Sequence, residues 1–475
     1  MVNETKLIIA TLLADADADL RRQAAEDLAE SCGLASIAAL AAALGDENKG
    51  VRDAATRTLL NIGGVNVARA IVEYIADENI VTRNLSASLL TNLGAVSVRA
   101  LLPYLQEGDP DVKKIAVDIL GLIKNEEAIP RLVPLLNDHD SNVSISAVEA
   151  LGNIGSSAAV PHLFRAFNEQ ECAQAEIAEA LGKIGDPSSR DFLELNFRLT
   201  LGNTARNPLV LYALLEALAT VGNDHTLQVL GEQVQSVEGN VRNVLLHAII
   251  RIAERVDYPI SSLNLQNAHL IKAQSDRDPQ IKTSAAKGLL SSNDNEATRA
   301  LMKSFGISDE LDTLLFQELI TRDRVWAAAE EELDQPGAKP KKQIIDLIRR
   351  FADSLVPAMF RGGSGIINDE QMQRLFESVA KEWHEANQET RETVIGTLFS
   401  LDSDHAVQFL DEVLNDPDPW LRIQVIELLA SRTNRNAVDF IARFLGDEDE
   451  MVREVAKATL QAGGYLFDIP EAIPQ

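Results

Sequence analysis

Apolar residues along this chain recur at spacings of three and four. Between residues 127 and 167 they occupy Ile129, Leu132, Leu135 and Leu136, then Val143, Ala147, Leu151 and Ile154, each set forming one face of a helix. Pro130 falls in the first turn, where its missing N–H costs nothing. The turn NDHDSN stops one helix and caps the next, and Gly155 ends the second. Two helices of this length cannot enclose a core, so each pair must stack on a neighbouring pair.

The residue closing each second helix measures the repeat. Cys32, Gly63, Gly94, Lys124, Gly155, Gly185, Gly222 and Ala253 follow one another at 31, 31, 30, 31, 30, 37 and 31 residues. The period returns at Asp402, Thr433 and Gly464. The expected organisation is a regular array over 1–255, with a short insertion around 201–207, then divergent repeats with a helical insertion and flexible loops over 256–384. Repeats resume over 385–464, and a tail covers 465–475. Within the irregular region DELDTLLFQELITRD and VWAAAEEELD read as helices, QPGAKPKK as a turn, QIIDLIRRFADSLVPAMF as an amphipathic helix and RGGSGIIND as a loop. The fold class expected is all-α: a right-handed α-solenoid, an armadillo-like superhelix of about eleven or twelve helical hairpins.

A second period accompanies the first. An acid stands six residues before a base at Asp15 and Arg21, Asp46 and Arg52, Asp77 and Arg83, Glu107 and Lys113, Asp276 and Lys282, Glu385 and Arg391, Asp416 and Arg422, and Asp447 and Arg453. The offset predicts that the acid caps the second helix while the base reaches a neighbouring repeat. It lapses at Asp138 and Ser144, Asn168 and Gln174, and Ala205 and Leu211, where a changed stacking angle is expected.

Composition narrows the function. A net charge of −28 opposes nucleic acid, whose phosphates need clustered Lys and Arg, and favours a basic partner. Cys32 and Cys172, the two cysteines, lie too far apart in the repeats for a disulfide framework and fit a reducing compartment. No apolar run comes near the roughly 18 residues of a membrane span, and MVNETKLIIATLLADAD lacks a basic leader with a cleavage site. The expected location is the cytoplasm.

The A-[IV]-P-x-L helix, the D-x-x-x-x-V-R turn and the A-x-x-x-L-G-x-I-G helix resemble the short HEAT repeats of the phycobilisome-lyase type. That resemblance covers roughly 1–255 and 385–464 and implies a solenoid; proteins similar in this way include bilin lyases, metal-dependent hydroxylases and adaptors without chemistry. The hydroxylase pattern, His-Glu pairs just after the basic residue, is not met: the positions are Asp53-Ala54, Asn84-Leu85, Lys114-Ile115, Glu392-Thr393 and their equivalents, none a histidine. His384-Glu385 sits at the cap instead, and the other histidines are scattered singly. The glycine run at 362–365 lacks the Lys and Ser/Thr of a phosphate loop. No catalytic residue, cofactor or metal is expected.

In such a solenoid the second helices line the concave side. Their positions at i and i+4 give a strip: Asp53, Arg57, Asn61; Asn84, Ser88, Asn92; Lys114, Asp118, Leu122; Ile145, Glu149, Asn153; Ala175, Glu179, Lys183; Tyr212, Glu216, Thr220; Asn243, His247, Arg251. Arg57, Asn61, Asn92, Asp118, Glu149, Asn153, Glu179, Lys183, Tyr212 and Glu216 are the candidate partner contacts. Rich in Asn and carrying both signs of charge, the strip suits hydrogen bonding to another protein. The aromatic residues concentrated after residue 300 mark a second candidate surface. The function expected is a non-enzymatic protein-interaction scaffold; the alternative is a lyase or chromophore-handling accessory resembling the bilin lyases.

Overall fold

The computed structural model describes residues 2–30, 33–106, 108–202, 208–263, 265–322, 325–335, 341–359, 369–384, 386–401, 403–430 and 435–463. Cys32, Asp402, Thr433 and Gly464 of the repeat period, Glu107, Ala205 and Glu385 of the charge pattern, and most of the insertion at 203–207 and the loops at 336–340 and 361–368 lie outside them. Among the described residues every regular element is helical. The protein is an all-α solenoid built as two compact units, Met1–Tyr258 and Pro259–Gln475.

In the first unit the second helices of successive hairpins are α1 (Ala18–Asp27), α2 (Lys49–Ile62), α3 (Ile80–Leu93), α4 (Pro110–Ile123), α5 (Ser141–Ile154), α6 (Gln174–Ile184), α7 (Pro208–Val221) and α8 (Gly239–Arg255). One apolar position runs through these repeats, leucine in seven of them and Ile249 in the eighth. Leu28, Leu59, Leu90, Leu120, Leu151, Leu181 and Leu218 are fully buried, and each extends one continuous core across the boundary between repeats. The second unit repeats it in α9 (Pro279–Leu290), α11 (Gln388–Leu401), α12 (Pro419–Ala430) and α13 (Glu450–Ala462), where Leu289, Leu398, Leu429 and Leu460 are buried. The expected amphipathic helix is α10 (Lys341–Met359), whose Ile344, Ile345, Leu347, Ile348 and Phe351 face the core.

The first helices are less regular than expected. Ile129–Leu132 is α-helical for four residues and passes into 3-10 helix over Val133–Asn137, because Pro134 has no N–H to bond back along an α-helix. The run Ile80–Gln106, at 27 residues, is long and apolar enough to count as a membrane span by length and composition, which corrects the expectation that no run comes near that length. In the fold it is two legs of a repeat: α3 ends at Gly94, whose φ of 67° sends the chain back. The 14 residues of α3 rise only about 21 Å, short of the roughly 30 Å of a bilayer core.

Close contact of small residues sets the spacing of the second helices. A Cβ placed on Gly121 would lie 2.8 Å from Ala150 Cα, one on Gly152 2.9 Å from Ala180 Cα, and one on Gly182 2.9 Å from Ala217 Cα. This explains the L-G of the repeat motif: α4 to α7 nearly touch backbone to backbone.

The base reaches the neighbouring repeat as expected, while the acid stands two residues before the N-cap rather than at it. The N-cap is the residue two positions after the acid: Asn48, Asn79, Asp140, Asp278 and Asp449 accept from the first turns of their helices. The acid in turn accepts the cap residue's own N–H, as Asp46 does from Asn48 at 2.8 Å. The base donates to the main chain of its own turn, Arg52 Nη1 to Asp46 O at 2.7 Å, and its ion pair goes one repeat onward, from Arg21 to Asp46 at 2.8 Å and from Lys113 to Asp138 at 2.7 Å. Where the base is missing, neutral bonds replace it. Ser144 Oγ and Gln170 Nε2 both donate to Leu136 O, and Gln174 Nε2 donates to Phe167 O.

Candidate functional site

The predicted strip lies on the second helices of the first unit, and one part of it is a built groove. Between α3 and α4 a hollow of about 360 Å³ is walled by Asn84, Ser88 and Asn92 on one side and Asp118 and Leu122 on the other, with Ala87, Ile115 and Ile119 in its floor. Helical spacing makes the walls: Asn84, Ser88 and Asn92 succeed one another at i+4 along α3, and Asp118 and Leu122 do so along α4. Leu122 is 60% exposed, an apolar side chain held open beside polar groups.

Two of the walls are held by local bonds. Asn92 Nδ2 donates to the Ser88 carbonyl at 2.8 Å, so its donor is used along its own helix. Asp118 takes the Lys114 ammonium at 2.7 Å along the same helix. The groove thus offers acceptors, one neutralised acid and an apolar floor, the mixture found at protein contacts.

The structure brings together Asn92 and Asp118 of the candidate contacts. Glu149 and Asn153 follow on α5, Glu179 and Lys183 on α6, and Tyr212 and Glu216 on α7, while Arg57 and Asn61 precede on α2; none of these eight lines the groove. Arg57, Asn61, Glu149, Glu179, Lys183 and Glu216 are exposed, and Asn153 and Tyr212 are half-buried. Arg57 pairs with Glu26 of the preceding repeat at 3.3 Å, and Glu216 with Arg251 of the following one at 2.6 Å. His247 departs from the expected surface strip. It is 5% exposed and stands 3.8 Å from Glu216, because α8 packs this face against α7.

Sequence reasoning missed Ile115 and Ile119 as floor residues: Ile115 entered only as a position of the unmet His-Glu pattern, and Ile119 not at all. It also left unplaced a trough in the second unit over α10, α11 and α12, whose signal was the pair Arg349-Arg350 on a helix of an acidic chain. Among the described residues no three His, Cys, Asp or Glu side chains converge as metal ligands. Cys172 is an exposed free thiol.

A family model for HEAT repeats matches residues 5–91, 98–173 and 375–466, more than half of the chain. Among solved structures, Kap121p is similar over 96% of this chain and 56% of its own, at 13% identity and a TM-score of 0.50. Kap121p bound to Ste12p and Kap121p bound to Nup53p each match at 12% identity, with the same coverage and a TM-score of 0.50. The chain spans little more than half the length of these structures, and at such identity the likeness is one of fold. No curated protein sequence matches the chain.

Proposed function

This chain belongs to the HEAT-repeat family, and from that premise we propose that it works as a non-enzymatic scaffold that binds another protein along the inner face of its first unit. The observation that carries the proposal is the groove between α3 and α4, where exposed Leu122 lines the hollow together with Asn92 and Asp118. A side chain of that size left open among hydrogen-bonding groups is the composition of an interface rather than of a solvated face. The proteins named as bound to Kap121p, Ste12p and Nup53p, lend support only to the general mode, a solenoid that holds protein partners.

The finer resemblance, to repeats of the phycobilisome-lyase type, rests on the L-G-x-I-G helices and is part of the same proposal. So is a cytoplasmic setting, which the exposed thiol of Cys172 suits. A net charge of −28 supports a protein rather than a nucleic-acid partner.

The test is the quadruple variant Asn92→Ala, Asp118→Ala, Glu149→Ala, Asn153→Ala, compared with wild type in affinity capture and mass spectrometry. Each change should alter stability by no more than about 0.5 kcal/mol, while loss of central contacts should cost above about 2 kcal/mol of binding, roughly thirtyfold in affinity. Undiminished recovery of the same partner by a folded variant would move the site elsewhere. An absorption spectrum of protein from its own source addresses the chromophore-handling alternative, since a scaffold is colourless.

A further inference from the structure

We propose that the trough in the second unit is a binding site for a small organic phosphate, separate from the protein-binding face of the first unit. The trough holds about 730 Å³, within the roughly 300–1,000 Å³ of ordinary ligand sites. Lys342, Asp346, Arg349 and Arg350 line it from one face of α10, at i, i+4, i+7 and i+8.

One carboxylate orients two guanidiniums there. Arg349 Nη2 donates to Asp346 Oδ1 and Arg350 Nε to Asp346 Oδ2, both at 2.8 Å. Neither guanidinium makes another hydrogen bond among the described residues, so the trio keeps one positive charge and several aimed N–H donors, the arrangement that fits phosphate oxygens. Gly396 of α11 faces it: a Cβ there would stand 3.5 Å from Cδ and Nη1 of Arg349, an ordinary contact.

The other two acids of the trough have different positions. Both oxygens of Asp312 receive the Gly306 N–H, at 2.8 and 3.1 Å. Glu392 stands one helical turn before Gly396, half-buried and without a partner among the described residues. A carboxylate lining the same trough without an ion pair to either guanidinium weakens the site for a bare anion and gives hydroxyl groups on a ligand an acceptor. A phosphate joined to a hydroxyl-bearing body satisfies both ends, and Leu428 supplies apolar contact beside it.

The adjoining hollow of about 580 Å³, which shares Phe305, Gly306 and Gln343 with the trough, repeats the device. Arg299 and Lys303 share the buried Glu332, at 2.6 and 2.8 Å. Arg299 also meets Glu331 at 3.6 Å, so this second group is charge-balanced and the trough keeps the freer guanidiniums.

The experiment titrates the full chain with inorganic phosphate and with ribose 5-phosphate at constant ionic strength, reading thermal stability and calorimetric heat. Wild type should bind both, the sugar phosphate more tightly. Arg349→Gln with Arg350→Gln should weaken both by roughly tenfold or more, and Glu392→Gln should keep inorganic phosphate while removing the sugar's advantage. Should the double variant lose its helical circular dichroism, Arg350→Gln alone, a change at a half-exposed side chain, carries the same expectation. Absence of binding to wild type at about 10 mM, or equal binding by the arginine variants, overturns the site. Equal affinity for the two phosphates overturns the role given to Glu392, and binding of a poly-glutamate peptide in place of either would make the trough a protein contact.

Discussion

Arg422 and Asp447, 25 residues apart in the chain, meet in a two-armed ion pair, Nε to Oδ2 at 2.9 Å and Nη2 to Oδ1 at 2.8 Å. The same interval joins Arg21 to Asp46, Lys113 to Asp138 and Arg391 to Asp416. It links the start of one second helix to the turn of the next repeat, so each contact fixes how two repeats stack. Planar guanidinium against planar carboxylate resists rotation about the contact better than a single bond would.

The side chains of Arg422 and Asp447 are 3% and 5% exposed, so removing either strands a buried charge. Arg422→Ala and Asp447→Ala should each cost about 3 to 5 kcal/mol, and the double variant much less than their sum. Chemical unfolding of the four proteins of the cycle measures this; additive losses would mean that the two side chains do not act together.

The ladder also predicts acid sensitivity. Burial pushes the Asp46 carboxyl up, but the Arg21 guanidinium and the Asn48 N–H outweigh it and hold the carboxyl below its usual value. At Asp138 burial is outweighed in the same way by the Lys113 ammonium and the Asp140 N–H. A carboxyl lowered in the folded state contributes stability that is present above the unfolded value, about 3.9, and lost as pH falls through the folded one. Urea unfolding followed downward from pH 6 should show wild type losing stability below about pH 4, and Asp46→Asn with Asp138→Asn losing less over that interval.

Gly152 inverts a usual rule. Alanine in place of glycine within a helix ordinarily stabilises by about 1 kcal/mol, yet a Cβ here would meet Ala180 Cα at 2.9 Å and Ala180 Cβ at 3.0 Å. Gly152→Ala should therefore destabilise by about 1 to 3 kcal/mol as α5 and α6 are forced apart. A melting temperature equal to or above wild type would refute the close seam.

Lys124 occupies the repeat position that Gly155 and Gly185 hold elsewhere, with φ of 57° against their 74° and 68°. A side chain in that left-handed region costs about 1 to 2 kcal/mol. Part of this returns through the greater freedom of glycine in the unfolded chain, so Lys124→Gly should raise stability by roughly 0.5 to 1 kcal/mol. Equilibrium unfolding checks it.

The repeat was legible in the sequence because one position does one job every time. Leu59, Leu120 and Leu151 each bridge two repeats and are fully buried, so their spacing carries the fold. The partners of the ladder were less legible: Asp46 and Arg52 keep a fixed offset through main-chain bonds, whereas Asp46 pairs with Arg21 across the stack. The reach of the base to a neighbouring repeat was expected from the offset; which acid it meets, 25 residues onward, follows from the stacking of repeats. His247 shared the strip's spacing but is buried, since exposure depends on how closely α7 and α8 pack. The trough over α10 to α12 gathers side chains from three helices, and no single helix pattern contains it.

The most direct measurement is hydroxyl-radical footprinting of the full chain, alone and with the captured partner. Leu122, 60% exposed in the groove, should lose most of its oxidation when the partner is bound, while Leu195 and Leu199, 56% and 55% exposed on the helix Arg190–Leu201, keep theirs. Undiminished oxidation of Leu122, with protection at Leu195 and Leu199, would contradict binding along the inner face of the first unit.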